Sequence, residues 1–295
     1  MRILVTGSNG FLGRELVHKL QRHNHTVIGL DKDFESHSDQ FIHHDLSEPL
    51  RISGATFDVC IHLASYVGGF LHNASTKGLE NYELTLLKNV ARFSRASHCS
   101  RFLYASTINV FEKNSLFCET PLPKLDQQTP YARAKALGER FVEESFSHFG
   151  IVRMTNLFGR SQAEKLKGRG TSHVIPELLR QISESTELEV LGDGNQERNF
   201  LHVSDAAVFY RLILKSPQRG WFNLRSDLQL SIKDLSKELM KWKQKELPIR
   251  FRPEYLRYEP NPIHLFNCTA TNALGWKPQV SSILEGLERT SPFVS

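Results

Sequence analysis

The chain is poor in cysteine: Cys60, Cys99, Cys118 and Cys268 are the four in 295 residues, and no two form a C-x-x-C pair. That spacing argues against a disulfide framework or a paired-cysteine zinc site, and a reducing cytoplasm is the expected compartment. No segment approaches the roughly 20 apolar residues of a membrane-spanning helix. The opening MRILVTGSNG runs straight into a strand pattern rather than into signal-peptide architecture. Also missing is any block of lysine and arginine with interleaved aromatics. The formal charge of +5 is therefore dispersed, which suits a small phosphorylated ligand and leaves no nucleic-acid footprint. The thirteen histidines include HNH (23–25) and His43–His44, but no carboxylate or cysteine pattern accompanies them, so solvated rings rather than metal ligands are expected. With 40% hydrophobic and 23% charged residues and no low-complexity stretch, the chain is long enough for a full α/β core with an appended cap.

The first thirty residues carry a pattern. RILVTG is a short, β-favouring apolar run, and SNGFLGRELVHKLQRH follows with Phe11, Leu12, Leu16, Val17 and Leu20 at helical spacing. Between them Gly7, Gly10 and Gly13 form G-x-x-G-x-x-G, and HTVIGLD reads as a second strand ending in Asp31. Glycine lets a backbone turn tightly and approach a pyrophosphate, whose charge the free N–H groups and dipole of the helix start would meet. An acid at the tip of the second strand accepts hydrogen bonds from adenosine ribose hydroxyls. Strand, glycines, helix, strand and acid in this order imply dinucleotide binding by Gly7, Asn9, Gly10, Phe11, Leu12, Gly13 and Asp31. Asp31 should repel a 2′-phosphate and favour NAD(H) over NADP(H), a preference that Lys32 weakens.

The alternation continues through FIHHDL (41–46), FDVCIHLA (57–64), a helical stretch around 76–98, RFLYAS (101–106), a helix from Tyr131 to about Ser147, and IVRMTNLFG (151–159). Strands alternating with helices imply an α/β fold, a Rossmann-type doubly wound parallel sheet with its ligand at the carboxyl ends of the strands. Asp45, at one such tip, suits either the adenine end of the ligand or a helix N-cap. In TPYARAK, Thr129 is a candidate N-cap, Pro130 fits the first turn, and Tyr131 and Lys135 share a face. Two readings stand: a ring packed on a lysine stem, or an acid–base pair in which the cation lowers the phenol from its usual pKa of about 10.

Taken together, TGSNGFLG (6–13), Asp31, HLAS (62–65), YASTINVF (104–111), YARAK, RMTNLFG, LGDGNQERNFLHVSDAA (191–207) and NALGWKPQVSSILEGL (272–287) resemble the extended short-chain dehydrogenase/reductase superfamily in its nucleotide-sugar epimerase/dehydratase branch. The match runs nearly end to end. It implies that Tyr131 is the general acid/base at a sugar hydroxyl or ketone, that Lys135 lowers its pKa and bonds the nicotinamide ribose, and that Thr107 binds the same substrate oxygen. It adds Asp45, Leu46, Leu63 and Ala64 to the cofactor contacts. Residues 1–159, rejoined by 199–225, would bind the dinucleotide, and 160–198 with 226–295 would form a smaller cap for a nucleoside-diphosphate sugar. There Arg198 would hold the diphosphate and Asn156 a phosphate or sugar oxygen.

SYVGGF (65–70) and TSHVIPELL (171–179) further resemble the fucose synthase group, which places Val67, Gly68, Gly69, His173 and Val174 at the sugar. That group's catalytic cysteine maps onto Asn109, whose carboxamide exchanges no protons near neutral pH, putting carbon epimerisation in doubt. The Asp-Glu that follows Thr107 in the dehydratases is replaced by Ile108 and Asn109. Two reactions stay open: net reduction of a nucleotide-linked 4-keto-6-deoxy sugar, which is preferred, and 4-epimerisation with a retained NAD. A non-catalytic cofactor-binding regulator is the alternative from outside enzymology. A homodimer through two sheet-flanking helices is what the resemblance implies, with no metal, nucleic acid or membrane partner.

Overall fold

A computed structural model describes residues 1–34, 38, 40–52, 54–68, 76–111, 116–122, 124–127, 129–159, 173–258 and 266–289. In chain order they form β1 (Arg2–Thr6), α1 (Phe11–Gln21), β2 (Thr26–Asp31), β3 (Gln40–His43), β4 (Val59–His62), α2 (Leu79–Ala96), β5 (Arg101–Thr107), α3 (Pro130–Ser145) and β6 (Phe149–Met154). There follow β7 (Asn156–Phe158), α4 (Val174–Glu184), β8 (Leu188–Leu191), β9 (Glu197–His202), α5 (Val203–Ile213), β10 (Gly220–Leu224), β11 (Gln229–Ser231), α6 (Ile232–Trp242), β12 (Ile249–Arg252), α7 (Thr269–Ala273) and α8 (Ile283–Glu288).

Seven strands make one parallel sheet in the order β10-β6-β5-β4-β1-β2-β3. The alternation of β1 shows why it lies in the middle. Ile3 and Val5 face a core shared with Leu16, Val17 and Leu20 of α1 and Phe209 and Ile213 of α5, while Leu4 faces Leu86, Val90 and Phe93 of α2 on the other side. A strand that is apolar on both faces fits only between two layers of helices. The order reverses direction between β1 and β4, so their carboxyl ends open a crevice there.

The run 151–159, expected as one strand, is two. β6 begins at Phe149 and pairs with β5 and β10, and at Thr155 the chain leaves the sheet so that β7 pairs with β9 instead. The segment 199–225 divides likewise. β9 lies in a three-stranded sheet, β11-β9-β7, α5 covers α1's side of the large sheet, and β10 closes that sheet's edge. Around the smaller sheets β11-β9-β7 and β12-β8 a third core gathers Ile175, Leu178 and Ile182 of α4, Leu235 and Leu239 of α6, and Ile283 and Leu287 of α8.

Candidate active site

At the crevice, the turn between β1 and α1 is pinned to β2: the Gly7 N–H donates to Leu30 O at 2.8 Å and the Gly10 N–H to Gly7 O at 3.0 Å. Gly7 has φ of +69°, and a methyl group on it would fall 2.7 Å from the Ala64 nitrogen, so this position requires glycine. Gly13 is packed against the same turn, with no room for a Cβ beside the Gly7 carbonyl. Among the described residues the start of α1 carries no side-chain cap and no acid in its first turn, so the N–H groups at Phe11 and Leu12 form a positive helix end suited to an anion. Asp31, at the tip of β2, accepts the Asn9 N–H at 2.9 Å and the Asp33 N–H at 3.1 Å, which fixes its carboxylate beside the turn. Across the crevice, the Ala64 N–H reaches Thr6 Oγ1 at 3.3 Å, so Leu63 and Ala64 follow β4 along the floor. Two buried hydroxyls near the strand ends, Ser8 Oγ and Thr155 Oγ1, make no hydrogen bond among the described residues. A glycine cradle, a bare helix start and a fixed acid fit a dinucleotide.

Beyond β4 lies α3. Its N-cap is Thr129, whose hydroxyl accepts the Ala132 N–H at 3.2 Å, and Pro130 opens the first turn. Tyr131, Lys135 and Glu139 then repeat every fourth residue along the buried face, and each meets a partner from a different element. Tyr131 is hydrogen-bonded with Thr107, at the end of β5. Lys135 Nζ lies 3.3 Å from Glu83 Oε2 on α2, with both side chains buried. Glu139 accepts Ser106 Oγ at 2.5 Å and two Arg153 nitrogens, Nε at 3.0 Å and Nη2 at 2.5 Å. Arg153, wholly buried on β6, also donates to the carbonyls of Cys118 and Thr120.

The electrostatics differ from the expectation that Lys135 lowers the Tyr131 phenol. Burial first, and the Glu83 carboxylate second, push that phenol above the ordinary tyrosine range, and the hydrogen bond with Thr107 only partly offsets them. Lys135 Nζ lies 5.9 Å from the Tyr131 ring centre, and at the phenol burial and the Glu83 carboxylate dominate. The same carboxylate accepts Ser65 Oγ at 2.7 Å and the Tyr66 N–H at 2.6 Å, so it also holds the loop after β4. His62, at the end of β4, pairs through Nδ1 with Thr6 Oγ1 at 2.7 Å, and burial, reinforced by the Lys135 charge, pushes its pKa down to about 3.

The other expected residues are dispersed around this group. Asp45 follows β3 and is exposed, its carboxylate accepting the Ser47 N–H at 2.8 Å in a turn rather than capping a helix. Leu46 is buried with Ile28 and Leu30, its carbonyl accepting from Asn89 at 2.9 Å. Val67 is half-buried and Gly68 buried, whereas Gly69 lies outside the described residues. The Asn109 N–H donates to Thr107 Oγ1 at 3.2 Å, which puts its side chain at the end of β5. Asn156 and Arg198 share the three-stranded sheet: Asn156 donates to Asn199 O at 3.0 Å, and Arg198 is opposite Leu230. His173 is the exposed N-cap of α4 and Val174 its first residue. Glu83, His62 and the Glu139–Arg153 pair had not been expected at the site.

A doubly wound sheet with a glycine cradle at its switch point, and a Thr–Tyr–Lys group across the crevice, defines the extended short-chain dehydrogenase/reductase class. Residues 3–224 match the model of the NAD dependent epimerase/dehydratase family, and the chain belongs to that family. It is thus an enzyme of the superfamily's nucleotide-sugar branch. The chain is 25% identical to GDP-mannose 3,5-epimerase 1 of Oryza sativa subsp. indica, over 98% of this chain and 80% of that protein. It is also 25% identical to dTDP-4-dehydro-6-deoxy-D-allose reductase of Streptomyces bikiniensis, over 98% of this chain and 94% of the relative. Among solved structures, UDP-glucuronic acid 4-epimerase from Bacillus cereus, in complex with UDP-glucuronic acid and NAD, shares the fold at a TM-score of 0.79. Its identity is 22%, covering 98% of this chain and 97% of that one.

Proposed function

We propose that the protein reduces a nucleotide-linked 4-keto-6-deoxy sugar at C4 with NADH. The observation that carries this reading is a buried Tyr131 held as a neutral phenol against Thr107, beside an Asn109 that exchanges no protons. The site has a proton donor for an oxygen and lacks, at Asn109, half of the acid–base pair that inverting a carbon alpha to a ketone requires. Support comes from the Streptomyces relative, whose name is that of a 4-keto sugar reductase.

In this reading Gly7, Gly10 and Gly13 and the N–H groups of Phe11 and Leu12 would hold the dinucleotide's pyrophosphate, and Asn9, whose N–H fixes Asp31, would steady that carboxylate for the adenosine ribose. Asp31 favours NAD(H) over NADP(H). Asp45, Leu46, Leu63 and Ala64 flank the adenosine end, and Lys135 meets the nicotinamide ribose. The bound nicotinamide supplies the hydride. Tyr131 gives its proton to the oxygen that becomes the C4 hydroxyl, and Thr107 fixes that oxygen. The smaller sheets and α4, α6 and α8 form the cap. There Arg198 and Asn156 meet the diphosphate and sugar, and Val67, Gly68, His173 and Val174 surround the ring.

The test is incubation with NADH and a nucleoside-diphosphate 4-keto-6-deoxy sugar in D₂O, with Tyr131→Phe as control. One NADH oxidised per sugar reduced, and no deuterium at C3 or C5, is the expected result. Deuterium entering either carbon faster than without enzyme refutes the reading, and interconversion of 4-hydroxy sugars without net NADH oxidation gives the function to 4-epimerisation.

A further inference from the structure

The hydrogen bond between Thr107 and Tyr131 joins the end of β5 to the start of α3. Between these elements, beyond the single 3-10 turn Ile108–Val110, the described residues form no helix and pair with the rest of the chain at an isolated bridge, Phe117 with Phe266. Gln127 lies in that stretch, four residues before Tyr131, and is 5% exposed. Its side-chain Nε2 donates to Val110 O at 3.0 Å and to Lys124 O at 3.3 Å. Its main-chain carbonyl accepts Arg133 Nε at 3.2 Å and Nη2 at 3.0 Å, and Arg133 in turn reaches Glu80 of α2 at 3.4 Å. One end of Gln127 is thus tied to α3 and the other to the turn that follows β5.

That turn needs outside support. Thr107 is its N-cap, with Oγ1 accepting the Asn109 N–H at 3.2 Å, and the Phe111 N–H closes it on Ile108 O at 3.1 Å. A lone 3-10 turn has poor hydrogen-bond geometry, and its last carbonyl finds no donor within the turn. Val110 is wholly buried, so that carbonyl must be met by protein, and Gln127 meets it.

We propose that Gln127 is a positioning residue, a strut between the Ile108–Val110 turn and the start of α3 that sets the Thr107 hydroxyl against the Tyr131 phenol. The inference rests on the reading of Thr107 and Tyr131 as the groups that hold and protonate the sugar oxygen. The other half of the carboxamide supports it. Gln127 Oε1 is buried and makes no hydrogen bond among the described residues. An acceptor sealed from water without a donor costs free energy, so a side chain needed there for volume alone would be apolar. The donors are what the carboxamide adds. Because Ser106 Oγ binds Glu139 two turns further along α3, loss of the strut should loosen the turn without parting β5 from the helix.

Gln127→Met keeps the length of the side chain and removes both donors. The kcat for reduction is expected to fall by about 10–10²-fold, the scale set by misplacing reacting groups by about 1 Å. The NADH Kd and the sugar KM should stay within about threefold of the parent, since neither ligand's binding groups are removed. In a Thr107→Val background the same substitution should cost less than about threefold, because the hydroxyl it places is already gone. A folded Gln127→Met protein with parental kcat overturns the inference. So does an equal loss in the Thr107→Val background, or a rise in NADH Kd that matches the fall in kcat. The strut is also read in the unmutated protein, where the Gln127 side-chain amide protons should exchange slowly with water by ¹⁵N-resolved NMR. Exchange at the rate of a free amide overturns the inference whether or not the variant folds. That measurement uses no sugar, so it can fail while C4 reduction stands. A D₂O result that gives the function to 4-epimerisation leaves the strut to be read from the interconversion rate instead.

Discussion

Replacing Gly13 with alanine should cost the protein its dinucleotide affinity and little of its fold. The added methyl would overlap the Gly7 carbonyl oxygen and lie 2.9 Å from the carbonyl carbons of Gly7 and Ser8. These are backbone atoms, and the turn is tied by the Gly7 N–H to Leu30 and by the Gly10 N–H to Gly7, so no rotamer relieves the overlap. The turn must part from the start of α1 by on the order of 1 Å before the contact becomes attractive. Each backbone N–H that then loses its aim at a charged phosphate forfeits about 1.5–3 kcal/mol. Two such losses raise the NADH Kd by about 10²–10⁴. The fold should give up about 1–3 kcal/mol, the usual cost of overpacking. Gly150→Ala is the control. Its methyl would press on Leu103 Cδ2 at 2.8 Å and Ile213 Cδ1 at 3.1 Å, inside the core three strands from β1, with a similar stability cost and no route to the turn. Calorimetric titration of NADH into both variants, with circular dichroism to verify folding, separates the two effects. A folded Gly13→Ala protein that binds NADH within about threefold of the parent refutes the cradle.

Asp31→Ala should narrow the gap between NADH and NADPH affinities, since the carboxylate held by Asn9 and Asp33 is what a 2′-phosphate would meet. The same calorimetry checks it, and tighter binding of NADPH than NADH by the unmutated protein contradicts it. His62→Asn addresses acid stability. The folded pKa of about 3 lies below the unfolded value of about 6.5, so protonation favours the unfolded chain, with no penalty above pH 6.5 and a growing one as pH falls toward 3. Between pH 7 and 5 this single ring should remove about 2 kcal/mol of unfolding free energy. Urea titrations should show that loss reduced by as much in His62→Asn, and an identical pH dependence in both proteins would show that His62 does not carry it.

The nucleotide half of the fold was legible because its signals are local. Gly7, Gly10, Gly13 and Asp31 fall on one strand–helix–strand unit, and TPYARAK announces both the cap and the first turn of α3. What escaped is what only tertiary contact creates. Glu83, in LENYELTLLKN, reads as one more charge on the wet side of an amphipathic helix, and nothing local says that its face turns toward a lysine more than fifty residues on. Arg153, inside an apolar run, and Glu139 carry no meaning until Ser106 and the 118–120 segment close around them. The break at Thr155 was missed for a similar reason. MTNLF has the composition of a continuing strand, and the switch of sheets is decided by β9, which arrives forty residues later. Where charges are matched across elements, periodicity reports burial and is silent about partners.

The clamp of Arg153 on Glu139 also has an angular meaning. Helix α3 is a shaft bearing Tyr131 and Lys135 at one end, and a helix can roll in its bed at little cost in burial. A roll of about 20° would carry a side-chain tip, about 6 Å from the axis, through about 2 Å. Displacements of this size cost orders of magnitude in rate. Glu139 lies about 12 Å further down the same shaft. There Arg153, rooted in β6 and braced by two main-chain carbonyls, acts as a key in a keyway. The aim of the Tyr131 phenol is thereby indexed to the interior of the sheet, so under the proposed reading the azimuth of the proton transfer would be machined into the core rather than left to the rim of the pocket.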